Sequence, residues 1–241
     1  MNKKLKKNRK HTGYVAAMWI LYLLPVSFVI ILFIAAAKGK LGEMPSIEQL
    51  ENPNPKLATA IYSSAGMVLG KFYLNDIRTP ISFSELPKNI IDALIATEDE
   101  RFYSHSGIDF KGTLRAIFYL GKKGGASTIT QQLARQLFVG VRSRNKIEAI
   151  TQKVKEWVLA VKLERRFTKN EIISMYLNIY DFGYQADGIE SAAKIYFNKK
   201  PSDLLLEESA TLVGMLKNSS LYNPRRRVKP VSYTHLTLPT N

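Results

Sequence analysis

Residues 13–37 read GYVAAMWILYLLPVSFVIILFIAAA, with no ionisable side chain except two tyrosines. A bilayer core is crossed by ~20 apolar residues in a helix, so this run spans one with room for tilt. Pro25 is expected to kink the helix without preventing insertion. Tyr14 suits the membrane interface, whereas Trp19 and Tyr22 lie deeper. The basic cluster Lys3 to Lys10 precedes the run and should stay cytoplasmic, which sends the rest of the chain outward. A cleaved signal peptide ending near Ala35-Ala36-Ala37 is the competing reading. Its apolar region would be only ~7–15 residues, so an uncleaved anchor fits better.

The chain has 241 residues and a net charge of +15, and more than half of that excess falls in residues 1–40. A nucleic-acid binder would explain the charge, but not its place beside an anchor or an outward domain. There is no cysteine, which removes disulfides, thiolate nucleophiles and cysteine-held metals together. His11, His105 and His235 are too dispersed for a histidine-built metal site. At 46% hydrophobic and 23% charged residues, the remainder can build a core.

The expected layout is a basic cytoplasmic tail over 1–12, a transmembrane helix over 13–37 and a linker over 38–56. A domain over 57–227 and a tail over 228–241 follow. Within the domain, 58–62 and 67–73 read as a short β-hairpin. After Ser84 the period is helical, with Ile90, Ala93, Leu94 and Thr97 in step and Pro87 in the first turn. Further helices are expected over 128–139, 146–165, 169–180, 187–197 and 203–217. Thr168-x-x-Glu171 has capping-box spacing. The fold class is therefore mainly α, with one small β element.

Three segments carry polar groups that a core would not require. Glu98-Asp99-Glu100 closes an apolar helix, and a partly buried member of such a run becomes a stronger base. Gly124-Gly125-Ala126-Ser127-Thr128 leads into a helix, and a helix start with free N–H groups suits an anion. Thr128, Gln132 and Arg135 share one face of that helix. In the third, Lys153 and Glu156 are spaced i, i+3, on a face away from the apolar stripe Ile147, Ile150, Val154, Trp157 and Val161. Each segment alone is equally readable as a solvated helix end, an ordinary cap or a surface ion pair.

In order, these segments resemble the peptidoglycan glycosyltransferase module of class A penicillin-binding proteins and monofunctional transglycosylases. The resemblance runs from about Leu57 to Arg227. It is carried by Glu98-Asp99-Glu100-Arg101-Phe102-Tyr103-Ser104-His105-Ser106-Gly107, by Gly125 to Leu133, and by Lys153-x-x-Glu156 with Lys162-Leu163-Glu164 and Glu171 to Asn178. Gly188 to Phe197 and Glu208-Ser209-Ala210 with Tyr222-Asn223-Pro224 complete it.

The resemblance implies a lysozyme-like helical domain with a small membrane-proximal lobe. It also implies polymerisation of lipid II into β-1,4 glycan, with inversion and release of undecaprenyl diphosphate. Glu98 would be the general base, and Glu156 a second catalytic carboxylate near the donor diphosphate. Arg135 and Lys153 would neutralise the leaving group, and Asp99, Ser127, Thr128 and Gln132 would line the substrate cleft. Phe102, His105 and Gly107 would shape the first motif. No cofactor is called for; Mg2+ or Mn2+ beside Glu156 is the ion the resemblance allows. Implied partners are lipid II, the lipid-linked glycan strand, membrane lipids and other cell-wall synthesis proteins.

The chain departs from the pattern at Gln152, where the family usually has arginine; Lys155 or Arg142 are the candidate substitutes. Asn198 stands in place of a common glycine. Ser191-Ala192-Ala193-Lys194 has the Ser-x-x-Lys spacing of a penicillin-reactive nucleophile, but no Ser-x-Asn or Lys-Thr-Gly follows. Val231 to Asn241 matches nothing expected and reads as an artefact at the end of a truncated bifunctional enzyme, with a naturally monofunctional enzyme as the alternative. The rival readings are a lysozyme-like lytic glycosidase and a non-catalytic scaffold that binds lipid II or the cell wall.

Overall fold

The computed structural model describes residues 2–40, 42, 44–46, 49–50, 59–64, 68–72, 80–119, 125–219 and 221–226. The side chains of 2–12, 16–17, 25–26, 28–29, 37, 59–62, 68–72 and 117 are outside this description. Most of the expected linker, Gly124 and the tail from 227 lie outside it as well.

Helix α1 runs Asn2–Ala37 and contains the whole apolar run. Its last turns rest on the body, with Ala36 and Phe33 packed against Val154 and Val158. The Phe33 and Trp157 rings lie 5.7 Å apart. Farther from this contact, Trp19, Leu21, Leu24 and Ile31 are exposed. Among the described residues no helix is long and apolar enough to cross a membrane. The crossing expected for 13–37 is therefore not read from the structure.

The body is mainly helical. Strands β1 (Thr59–Tyr62) and β2 (Val68–Phe72) pair antiparallel, with an irregularity at Ile61 and Tyr62. Helices α2 (Lys88–Glu98), α3 (Phe110–Phe118), α4 (Ile129–Ala134) and α5 (Lys146–Glu164) follow. Then come α6 (Lys169–Ile179), α7 (Gly188–Phe197) and α8 (Leu206–Lys217). Pro87 is the N-cap of α2 rather than its first helical residue.

The core gathers around α4 and α6. Ile129 and Leu133 of α4 meet Leu159 and Leu163 of α5 and Ile172 and Tyr176 of α6, all buried. Helix α2 is packed on α8 through Ile90 and Leu94. The loop entering α2 is tied to α6 by Asn178. Its Oδ1 accepts the Ile81 N–H at 3.1 Å, and its Nδ2 donates to the Ile81 carbonyl at 2.8 Å. One side chain thus satisfies both backbone groups of a buried residue, as a strand partner would.

Three expectations change. Helix α3 was not foreseen, because Phe110, Leu114 and Phe118 point outward and give no core-facing stripe. The helix expected over 128–139 is α-helical only to Ala134; Arg135–Val139 form a π-turn, closed by the Gly140 N–H on the Arg135 carbonyl at 2.8 Å. On α5 the expected stripe holds at Val154, which is buried, but not at Ile147 and Ile150, which are exposed, and Glu156 is buried with Leu159, Ala160 and Leu163. The inward face is set by what α4 offers, and α4 offers the amide of buried Gln131.

Candidate active site

The break at the end of α2 parts two adjacent carboxylates. Asp99, the C-cap, turns into the protein and is 7% exposed. His105 Nε2 lies 3.0 and 3.1 Å from its two oxygens, and Oδ2 also accepts the Ile129 N–H at 3.1 Å. Asp99 was expected to contact substrate. It lines the cleft, and its bonds to His105 and Ile129 join the first motif to the start of α4.

Glu98 faces the other way. Gln132 Nε2 donates to its Oε2 at 2.7 Å, and the Tyr176 hydroxyl donates to Gln132 Oε1 at 3.0 Å. Glu98 Oε1 is buried with no hydrogen-bond partner among the described residues. A buried acceptor left open in this way is costly to the fold and suited to taking a proton. Burial, and then the charge of Glu98, push the Tyr176 hydroxyl well above its ordinary value, which keeps it a donor.

Phe102 is fully buried, with Lys169 Nζ 4.2 Å from its ring centre. The same ammonium donates to the His105 carbonyl at 2.7 Å and to Glu164 at 2.8 Å, while Thr130 donates to Glu164 at 2.6 Å. Gly107 has φ +88°, and a Cβ there would lie 2.8 Å from the Ala160 carbonyl carbon. Only glycine lets this turn approach α5 so closely.

Thr128, also expected to line the substrate cleft, borders the cleft and is the N-cap of α4. Its hydroxyl accepts the Gln131 N–H at 3.1 Å and donates to the Gly107 carbonyl at 2.8 Å. The residue is 1% exposed, its hydroxyl bonded once as donor and once as acceptor. Ser127 does face the cleft, and it accepts a hydrogen bond from Lys153 Nζ at 2.8 Å.

Lys153 is a hub. Besides Ser127, its ammonium reaches Gln131 Oε1 at 3.0 Å and Glu156 Oε2 at 2.8 Å. Burial lowers its pKa from the ordinary lysine value; the Glu156 hydrogen bond and charge oppose this, while Arg142 and Arg135 reinforce it. Glu156 is 2% exposed, and Arg142 Nη2 approaches its other oxygen at 3.3 Å. Arg135 starts the π-turn, half-buried, and its charge also acts on Tyr176. Among the described residues no ion-pair partner is seen for it.

The cleft has a volume of about 370 Å³ including its open mouth, and Glu98, Glu100, Arg101, Asp109, Arg115 and Ser127 are among its lining. It therefore joins Glu98, through Ser127, to Lys153, which with Arg142 is paired to the buried acid Glu156, while the charge of Arg135 acts on Lys153.

A family model described as Transglycosylase matches residues 65–236. The chain belongs to the transglycosylase family. It is 40% identical to Penicillin-binding protein 1A of Neisseria flavescens over 186 residues, 76% of this chain and 23% of the relative. Proteins of the same name from Pseudomonas aeruginosa and Escherichia coli are 38% and 37% identical, over 75% and 76% of this chain and 22% and 21% of their own lengths. The chain thus spans less than a quarter of the curated relatives it matches.

In and behind the cleft lie side chains that sequence reasoning passed over. Arg101 is paired with Asp109, which also caps α3 by accepting the Gly112 N–H at 3.0 Å. Asp109-x-x-Gly112 is a legible cap and would have revealed α3. Gln131 is fully buried and takes donors from Lys153 and, at 3.1 Å, from Trp157, while donating to Gly107. No sequence signal separates it from its neighbour Gln132. As for a divalent ion, both oxygens of Glu156 are committed to cations. No group of three His, Asp or Glu side chains able to hold a metal occurs among the described residues. These residues do not make a metal cage by themselves.

Proposed function

We propose that this transglycosylase domain polymerises lipid II into β-1,4-linked glycan on a lysozyme-like helical framework. The observation that carries the reading is the unpartnered Glu98 Oε1 at a cleft whose Ser127 is bonded to Lys153, itself paired with Glu156 beside Arg142. The acceptor's sugar 4-hydroxyl gives its proton to Glu98 Oε1 as its oxygen attacks the donor anomeric carbon from the face opposite the diphosphate. The bond from that carbon to the diphosphate oxygen breaks, with inversion, and undecaprenyl diphosphate leaves. The negative charge gathering on the diphosphate is met by cations already in place, so little reorganisation is needed at the moment of reaction. Mg2+ or Mn2+, where required, would arrive with the diphosphate, as hard cations held by few protein carboxylates usually do.

A lytic glycosidase would need an acid at the glycosidic oxygen and has no use for a cation group around a leaving diphosphate. Incubation of the detergent-solubilised chain with labelled lipid II, beside Glu98→Gln, tests the reading. Long glycan from the parent and none from the variant is the expected result. Shortened glycan would favour hydrolysis, and lipid II binding without polymer would favour a scaffold.

The domain is further proposed to stand outside the cytoplasmic membrane on a single α1 anchor, its α3 side toward the lipid. The exposed apolar side chains of α1, and of Phe110, Leu114 and Phe118 on α3, support this placement. With no native cysteine, single cysteines at positions 6 and 100 report sidedness directly. In intact spheroplasts an impermeant maleimide should label only position 100. Labelling at 6 alone would reverse the topology.

A further inference from the structure

The residue that departs most plainly from the family pattern, Gln152, has a clear structural task. Its Nε2 donates to the Val141 carbonyl at 3.1 Å, and its Oε1 accepts the Ser143 N–H at 2.9 Å. These two backbone groups bracket Arg142. The same turn is anchored further on by Ser143 Oγ, which donates to Glu148 at 2.6 Å, and by Asn145, whose side chain caps α5. Arg142 Nη2 then stands 3.3 Å from Glu156 Oε1. Lys155, the other candidate substitute, has its ammonium at Gly42, where a Cβ would come within 2.6 Å. It is not the replacement.

We propose that Gln152 is a positioning residue: its amide fixes the 141–143 turn so that Arg142 supplies the cation that an arginine at 152 would have supplied from α5. The proposal rests on the reading of this cleft as one that releases a diphosphate. Glutamine fits because the turn presents one acceptor and one donor, and a primary amide matches both at one reach. A guanidinium has donors only and would leave the Ser143 N–H open. Arg142 is half exposed and carries several free torsions. Without its turn held, it would spend less time at Glu156, and the leaving group would meet one cation fewer.

The test is a double-mutant cycle on the full chain with Gln152→Ala, Arg142→Ala and both together. Two quantities are read: steady-state polymerisation of lipid II, and affinity for inorganic pyrophosphate by calorimetry. For Gln152→Ala a fall in kcat of about fivefold, with KM within about twofold, is expected, since placement of a leaving-group cation acts mainly in the transition state. Arg142→Ala should lose about tenfold, and the double variant no more than Arg142→Ala alone. Pyrophosphate affinity should follow the same non-additive pattern. Full additivity, or an unchanged kcat and pyrophosphate affinity in Gln152→Ala, overturns the proposal. A parent chain that makes no polymer instead removes the glycosyltransferase reading, and the pyrophosphate cycle then decides the role of Gln152 without activity.

Discussion

Gln132 holds Glu98 by one oxygen only: its amide nitrogen is 2.7 Å from Oε2, and Oε1 is left buried and open. The tether is rigid because the amide's other end is held by Tyr176. A leucine at 132 would keep the volume and remove the tether. Gln132→Leu should lower kcat by about 10–100-fold with little change in KM, because a misplaced base is felt mostly in the transition state. The same loss in Tyr176→Phe, but smaller, would follow the chain of contacts. An unchanged kcat in Gln132→Leu would show that the open oxygen needs no such support.

Lys153 and Glu156 form a buried pair whose single-partner variants should be worse than the double. Lys153→Met leaves Glu156 with only the longer Arg142 contact, and a buried charge losing its partner costs about 3–5 kcal/mol. Lys153→Met combined with Glu156→Leu removes both charges and should recover much of that stability, though no activity. Urea unfolding of the three variants measures this. Equal stability of the single and double variants would show that the pair is solvated.

How much of this was legible depended on whether a residue's task was local. The Thr168–Glu171 capping box forms as its spacing indicates, with Glu171 accepting the Thr168 N–H at 2.7 Å. The ends of α5, α6 and α7 also fall close to where periodicity and caps place them. The site was legible only as a set of residue types. Lys153 and Glu156 were placed on a polar face and are turned inward, because the buried Gln131 amide on another helix supplies the partner that makes burial tolerable. Thr128 and Asp99 read as binding groups, but their bonds to Gly107 and the Ile129 N–H, 21 and 30 residues away, were not legible. The π-turn at Arg135 has no local signature either.

Asp109 gives the cleft a dependence on acid. Burial raises its pKa, but the Arg101 hydrogen bond, the Gly112 N–H and the Arg101 charge together outweigh this and hold it below its ordinary value of 3.8. A carboxylate lowered on folding contributes stability that is fully present above its unfolded pKa and is lost as pH falls through the lower folded value. Thermal melts of the parent should therefore fall more steeply below about pH 4 than those of Asp109→Asn, which lacks this linkage. The variant should also be less stable at pH 7. Parallel melting curves for the two proteins across the acid range would show that Asp109 does not contribute.

Asn198 stands where the resemblance places a common glycine, and its backbone is one that both residues can adopt. It terminates α7 at φ +53° and ψ +38°, with its N–H bonded back to Ala193 and Lys194. Left-handed geometry at a helix end is easy for glycine, acceptable for asparagine and strained for a side chain branched at Cβ. Asn198→Gly should leave stability within about 0.5 kcal/mol, while Asn198→Val should cost about 1–2 kcal/mol. Neither should change polymerisation at low temperature, since the residue is exposed. A destabilised glycine variant would mean that the asparagine side chain, and not its backbone conformation, holds the end of α7.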